Sequence, residues 1–163
     1  MFTKLIASSM HADKQDAVHP SFVEVIKQLS PFDAHILKTI TDCKWGISSI
    51  LAYEVNENKA IYQRNYVVLM ESVMPFPQMD YDNCSLFSAG LENLKRLSII
   101  NIDHDKQLFS KERYDPMNEH HILDEYRQRH NRKIKGMDDY TIELRHGLWV
   151  FTEFGQMFLN CCL

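Results

Sequence analysis

"SLFSAGLENLKRLSII", residues 85–100, carries an apolar stripe at helical spacing and then passes into a β-branched run. Phe87, Gly90, Leu91, Leu94 and Leu97 fall on one side of a helical wheel, and Ser88, Ala89, Glu92, Asn93 and Arg96 on the other. "SIINI" then has strand character. The stretch reads as the second helix of a helix-turn-helix followed by a strand.

Upstream, "HPSFVEVIKQLS" places Phe22, Val25, Ile26 and Leu29 at i, i+3, i+4 and i+7, with Pro20 at a first-turn position that tolerates proline. "SPFDAHILKTI" starts again at once. Ser30 is an N-cap, Pro31 a first-turn residue and Asp33 the acid of a capping box. The two helices meet with almost no loop. "MFTKLIASSM" is also helical, through Phe2, Leu5, Ile6 and Met10, but has no N-cap, so it reads as the inside of a longer helix in a larger protein. "WGISSILAYEV" and "AIYQRNYVVLM" flank "NENK" and predict a hairpin, with a helical alternative for the second run. Pro75 and Pro77 make "MPFPQMDYDNC" a loop.

Downstream, "DHDK" reads as a turn, "QLFSK" as a return strand and residues 115–135 as a charged helix with Ile122, Leu123 and Tyr126 inward. "YTIELRHGLWVF" reads as strands broken at a turn near Gly147. Thr152 caps a last helix with the stripe Phe154, Met157, Phe158 and Cys161. The expected core includes Phe22, Ile26, Leu29, Ile36, Leu91, Leu94, Phe154 and Phe158. The fold class is α+β: a helical part over residues 1–42, then a winged-helix-like part over 43–163. Its wing is enlarged by an insertion at about 103–139, and the whole forms one compact unit.

The segments "FTKLIASSM", "VHPSFVEVIKQLSPFDAHILKTI", "LENLKRLSII" and "FTEFGQMFLNCCL" occur in this order from Phe2 to Leu163. Together they resemble the Abi-alpha family of bacteria, named for abortive infection of phage. "HPSFVEVIKQLSP" is the most specific part, while residues 44–84 and 103–139 match loosely. Family members carry residues before this region, which agrees with a fragment. The resemblance implies a bacterial role in phage defence and supplies no catalytic residue.

Composition narrows the classes. With 163 residues and a net charge of −4, the chain suits one domain and lacks the overall basicity of a dedicated nucleic-acid binder. Its apolar runs fall far short of the ~20 residues a membrane helix needs, and no secretory leader is evident. Cys43, Cys84, Cys161 and Cys162 include no C-x-x-C pair, so they read as reduced thiols of a cytoplasmic protein.

Two surfaces carry candidate site residues. On the 85–97 helix, Asn93, Lys95 and Arg96 have the donors to meet bases and phosphates, although Glu92 at the centre of that face repels phosphate. "RQRHNRKIK" gathers Arg127, Arg129, Arg132, Lys133 and Lys135 with no acid, on an otherwise acidic chain. Such a tract holds phosphates or an acidic partner, or is a solvated helix end. Asp103, His104 and Asp105, with His120 and His121, have metal-binding atoms, but Asp103–Asp105 is also a natural tight turn. No nucleophile elbow or glycine-rich phosphate loop is present. The function read from this is a non-enzymatic protein-interaction module without a cofactor. A DNA-binding winged-helix regulator is the alternative, and a metal-dependent hydrolase a weaker one.

Overall fold

Capping chemistry fixes the helical part of the chain. In a computed structural model describing residues 1–10, 18–43, 45–55, 66–130 and 140–163, helix α1 is Phe2–Met10, α2 is Phe22–Gln28 and α3 is Pro31–Ile40. The α3 capping box is complete: Asp33 N–H donates to Ser30 Oγ at 3.0 Å, and Ser30 N–H donates to Asp33 Oδ2 at 2.8 Å. Leu29 and Ser30 are extended, which turns the chain sharply between α2 and α3. Strands β1 (Trp45–Val55) and β2 (Tyr66–Val73) follow, then α4 (Cys84–Arg96), β3 (Ile100–Asp103) and a 3₁₀ turn at Lys111–Tyr114. The chain closes with α5 (Asp115–Asn118), α6 (His121–His130), β4 (Tyr140–Phe151) and α7 (Glu153–Cys162). The class is α+β, with one four-stranded antiparallel sheet in the order β2-β1-β4-β3.

The second of the two β-rich runs is a strand from Tyr66, antiparallel to β1 with Tyr53 opposite Val67 and Ser49 opposite Val73. "NENK" lies outside the described residues. Three expectations are corrected. "QLFSK" forms no strand: Leu108 N–H donates to the Tyr114 hydroxyl at 3.0 Å, and the chain then enters the 3₁₀ turn. "YTIELRHGLWVF" is one unbroken strand. Gly147 serves close approach rather than a turn, because a Cβ there would lie 2.5 Å from the Asp103 carbonyl and 2.7 Å from His104 Cα. The predicted 115–135 helix is two helices among its described residues, with a break at Glu119–His120.

Two compact units assemble from separated segments. The first comprises Met1–Gly46, Gly90–Asn101 and Trp149–Leu163. Here Phe22, Ile36, Leu91, Leu94 and Phe158 are fully buried, as expected, while Ile26, Leu29 and Phe154 are half-buried. Phe22 packs edge-on against Phe154 and Phe158 at centroid distances of 5.3 and 5.4 Å. Lys4 Nζ reaches the Leu163 carbonyl.

The end of α4 is the tightest junction of this unit. Ser98 takes a left-handed backbone, φ 59°. Ser98 N–H donates to Lys95 O at 2.9 Å and Ile99 N–H to Leu94 O at 3.0 Å, the paired bonds of a Schellman cap. Thr152 then locks the cap. Its N–H donates to Ile99 O at 3.1 Å, its hydroxyl donates to Ser98 O, and the same hydroxyl accepts the Gly155 N–H at 2.8 Å to start α7.

The second unit comprises Ile47–Ala89 and Ile102–Leu148. Ser48 and Ser49 are consecutive on β1 and both wholly buried, so the sheet is covered on both faces at that level. Phe76 stacks on Phe87 at 4.9 Å, and the Tyr126 hydroxyl sits 3.4 Å from Cys84 Sγ. Ser88, expected on the outer face of α4, is buried and accepts the Ser72 N–H at 3.4 Å.

A Cβ at residue 155 would lie 2.0 Å from the Ile99 carbonyl oxygen. Gly155→Ala is therefore expected to cost about 3 kcal/mol, read as a lower urea midpoint. Ser98→Gly should add about 0.5–1 kcal/mol of stability, read as a higher midpoint, because glycine carries no left-handed penalty.

Candidate functional site

The polar residues of α4 are turned to internal use. Asn93 Nδ2 donates to Asp33 Oδ2 at 2.8 Å and to the Gln28 carbonyl at 3.2 Å. Asp33 is only 6% exposed, so Asn93 supplies a second donor to a buried carboxylate that already caps α3. The side-chain oxygen of Asn93 accepts from Arg96 Nε at 3.1 Å and Nη2 at 2.7 Å, and Arg96 Nη1 donates to Gln28 Oε1 at 3.0 Å. Gly90 permits the close approach, since a Cβ there would sit 2.5 Å from Ile36 Cδ1. Lys95 pairs with Glu92 at 3.5 Å. Of the three residues assigned to base and phosphate contact, Asn93 and Arg96 thus form a seam with α2 and α3, while Lys95 is paired within α4.

Only part of the basic tract lies among the described residues. Arg127 and Arg129 are exposed on α6, whereas Arg132, Lys133 and Lys135 fall outside. Arg127 Nη1 meets Asp124 at 3.1 Å. The Arg129 guanidinium lies 3.9 Å from the centroid of the Tyr81 ring and 3.4 Å from Asp82 Oδ1. Stacking on an aromatic face while touching a carboxylate holds an arginine in place and leaves part of its charge presented outward.

Asp103–Lys106 is the turn its residue types predict. Asp103 Oδ1 accepts the N–H groups of Asp105 and Lys106 at 3.0 and 3.2 Å, and its other oxygen meets Lys106 Nζ at 2.9 Å. The hydrogen bond from Lys106 holds the Asp103 carboxyl below its ordinary range. The His120 and His121 rings stack at 4.4 Å, but His120 Nε2 is spent on the Phe76 carbonyl at 2.9 Å and His121 Nε2 faces Glu125 at 3.8 Å. Among the described residues no group of three or more His, Cys, Asp or Glu side chains gathers to hold a metal.

A polar cluster in the second unit has no signature in the sequence. Ser49 Oγ lies 3.0 Å from His146 Nδ1, Ser48 Oγ lies 3.5 Å from His104 Nε2, and the Tyr114 ring stacks on His146 at 4.3 Å. A serine beside a histidine has the composition of a nucleophile and its base. Both serines have zero exposure, so no substrate reaches either hydroxyl, and the cluster is an internal hydrogen-bonded layer. Burial holds His146 below the ordinary histidine range. The thiols are equally quiet: Cys84, Cys161 and Cys162 are buried, and burial pushes Cys162 up to about 11. Cys43 is exposed, in a cleft of about 390 Å³ lined also by Thr41, Phe151, Gln156, Leu159 and Asn160.

The family model described as Abortive infection alpha covers residues 1–162 of the chain. No curated protein and no solved structure matches.

Asn93→Ala is expected to cost about 1–3 kcal/mol in denaturant unfolding, because it leaves the buried Asp33 carboxylate one donor short. His120 and His146 are both lowered, chiefly by burial. For His120 the charge of His121 lowers it further, while the Phe76 carbonyl and Glu125 raise it. The folded protein then binds fewer protons than the unfolded chain. Its stability is complete above the unfolded histidine value of about 6.5 and falls as pH drops below it. Melting temperatures at pH 7.5 and 5.5 should show the loss, and His146→Gln should flatten the slope.

Proposed function

We propose, from the premise that the chain belongs to the abortive infection alpha family, that it serves phage defence as a non-enzymatic protein-interaction module of the bacterial cytoplasm. The observation that carries the reading is Phe109, fully exposed in the second unit. Its loop is tied down at the two residues just before the ring. Leu108 N–H bonds the Tyr114 hydroxyl at 3.0 Å, and Gln107 Nε2 donates to the His146 carbonyl at 3.4 Å. A fixed loop that presents a phenylalanine to water forgoes about 1.5–3 kcal/mol of burial, and rigid aromatic anchors of this kind dominate protein interfaces. No described helix is long and apolar enough to cross a membrane.

The order α4–β3–β4–α7 supports a winged-helix-like reading of the C-terminal part, a layout used for protein contacts as well as for duplex DNA. The bonds of Asn93 and Arg96 to Gln28 and Asp33 weigh against DNA, since base readout would require breaking them. The outward charge of Arg129, with the rest of the basic tract, favours an acidic protein partner.

The wild-type chain is expected to bind duplex DNA no more tightly than the non-specific range of about 10⁻⁴–10⁻⁶ M at physiological salt, measured by gel shift. A sequence-specific nanomolar complex would overturn the reading. Phe109→Ser should leave stability within about 0.5 kcal/mol, because the ring touches only solvent. The same change should abolish protection in a phage plaque assay; undiminished protection counts against the reading.

A further inference from the structure

The flank of β4 that faces β3 changes character at Gly147. β4 extends from Tyr140 to Phe151, while β3 ends at Asp103, whose carbonyl a Cβ on Gly147 would meet at 2.5 Å. Toward the start of β4, the next group met is the side chain of Gln107, on the His146 carbonyl. A cleft of about 340 Å³ then opens, lined by Asn118, Leu123, Arg127, Ile142, Glu143 and Leu144.

Three consecutive strand residues in one lining is the informative feature. Successive side chains of a strand point to opposite faces, so a cleft on one face meets residues i and i+2 but not i+1. A cleft that meets Ile142, Glu143 and Leu144 together runs along the strand's edge, where backbone N–H and C=O groups point. Leu123 and Arg127, four apart on α6, form the facing wall. A sheet edge beside a helix is the setting in which an extended peptide adds as a further strand.

Resting on the protein-interaction reading, we propose that this cleft takes an extended segment of a partner protein alongside Ile142–Leu144. An acidic side chain of that segment meets Arg127. The occupant is fixed by charge: Arg127 heads a tract of five cations without an acid. Its present partner is replaceable, because Arg127 and Asp124 are 50% and 73% exposed, and exposed pairs contribute little. Glu143 is exposed on the strand side, so the acid belongs opposite the helix and not opposite the strand.

The test uses the full chain and a set of peptides of about ten residues, alternating Ser and Val, each with one Asp at a different position. Matched sets carry Lys in place of Asp, or Pro at every second position, which removes ladder donors. Fluorescence anisotropy gives affinity and amide chemical shifts give location. The best Asp peptide is expected to bind about tenfold more tightly than its Lys counterpart. Pro should abolish binding, and the shifts should centre on Ile142–His146, Leu123 and Arg127. Arg127→Glu should invert the Asp–Lys preference, and an unchanged urea midpoint shows that the variant is folded. If no peptide binds, or Pro is tolerated, or the shifts fall elsewhere, strand addition is overturned. With duplex binding also absent, the interaction reading survives that failure. A nanomolar duplex complex removes both.

Discussion

The Ile99 carbonyl is the point from which the first unit is hung. It accepts the Thr152 N–H, and Gly155 presses against it where no side chain fits. Three separate events of the chain are thereby made one: α4 ends, β3 begins and α7 starts. Ser98 must take a left-handed backbone for the chain to turn there, at a steric cost of about 1–2 kcal/mol. The Schellman bonds and the Thr152 hydroxyl offset that cost. Once α7 starts at Thr152, its inner face brings Phe158 onto Phe22, and the aromatic cluster follows.

The same economy of position explains what α4 does. A helix whose end is pinned this tightly presents Asn93 and Arg96 to fixed neighbours, and those neighbours are Gln28 and the buried Asp33. Asp33 is buried at little cost because its carboxylate accepts from the Ser30 N–H and from Asn93 Nδ2. The result is a polar seam inside the unit, where a recognition helix would keep these donors for a ligand.

Local chemistry was legible in the sequence; long-range placement was not. The α3 capping box, the Thr152 cap and the Asp103 turn all lie within a few residues. Each could be read from spacing. Ser49 and His146 stand 97 positions apart, and nothing in "ISSI" or "RHG" announces that they meet. Gly147 looked like a turn residue because glycine has two uses, conformational freedom and close approach, and only the neighbouring strand decides between them. Asn93 looked outward on a wheel drawn for one helix. Its Asp33 partner is 60 positions away, and a wheel cannot show a second helix. "QLFSK" has strand composition, but the Tyr114 hydroxyl takes the backbone donor a ladder would need. Of the candidate site, the basic tract was visible because charge density needs no fold. The cleft beside it was not, because it exists only where β4 outruns β3.

The tract and the exposed apolar groups answer different physical questions. Charges on a surface are screened beyond about 8 Å at physiological salt, so a cationic tract on an acidic chain chiefly raises the rate and selectivity of encounter. Residence depends on desolvated contacts. Phe109 offers apolar area without needing to move, and a strand edge offers backbone donors and acceptors that water satisfies until a partner replaces it. An acidic, partly extended partner would be drawn by the first feature and retained by the others. A nucleic acid would be drawn equally well by charge, yet a duplex takes up a phenylalanine only by unstacking a base step, at a cost of about a few kcal/mol. It would also find Asn93 and Arg96 already bonded. The asymmetry between attraction, which both partners share, and retention, which costs a duplex its stacking, favours a protein over a duplex.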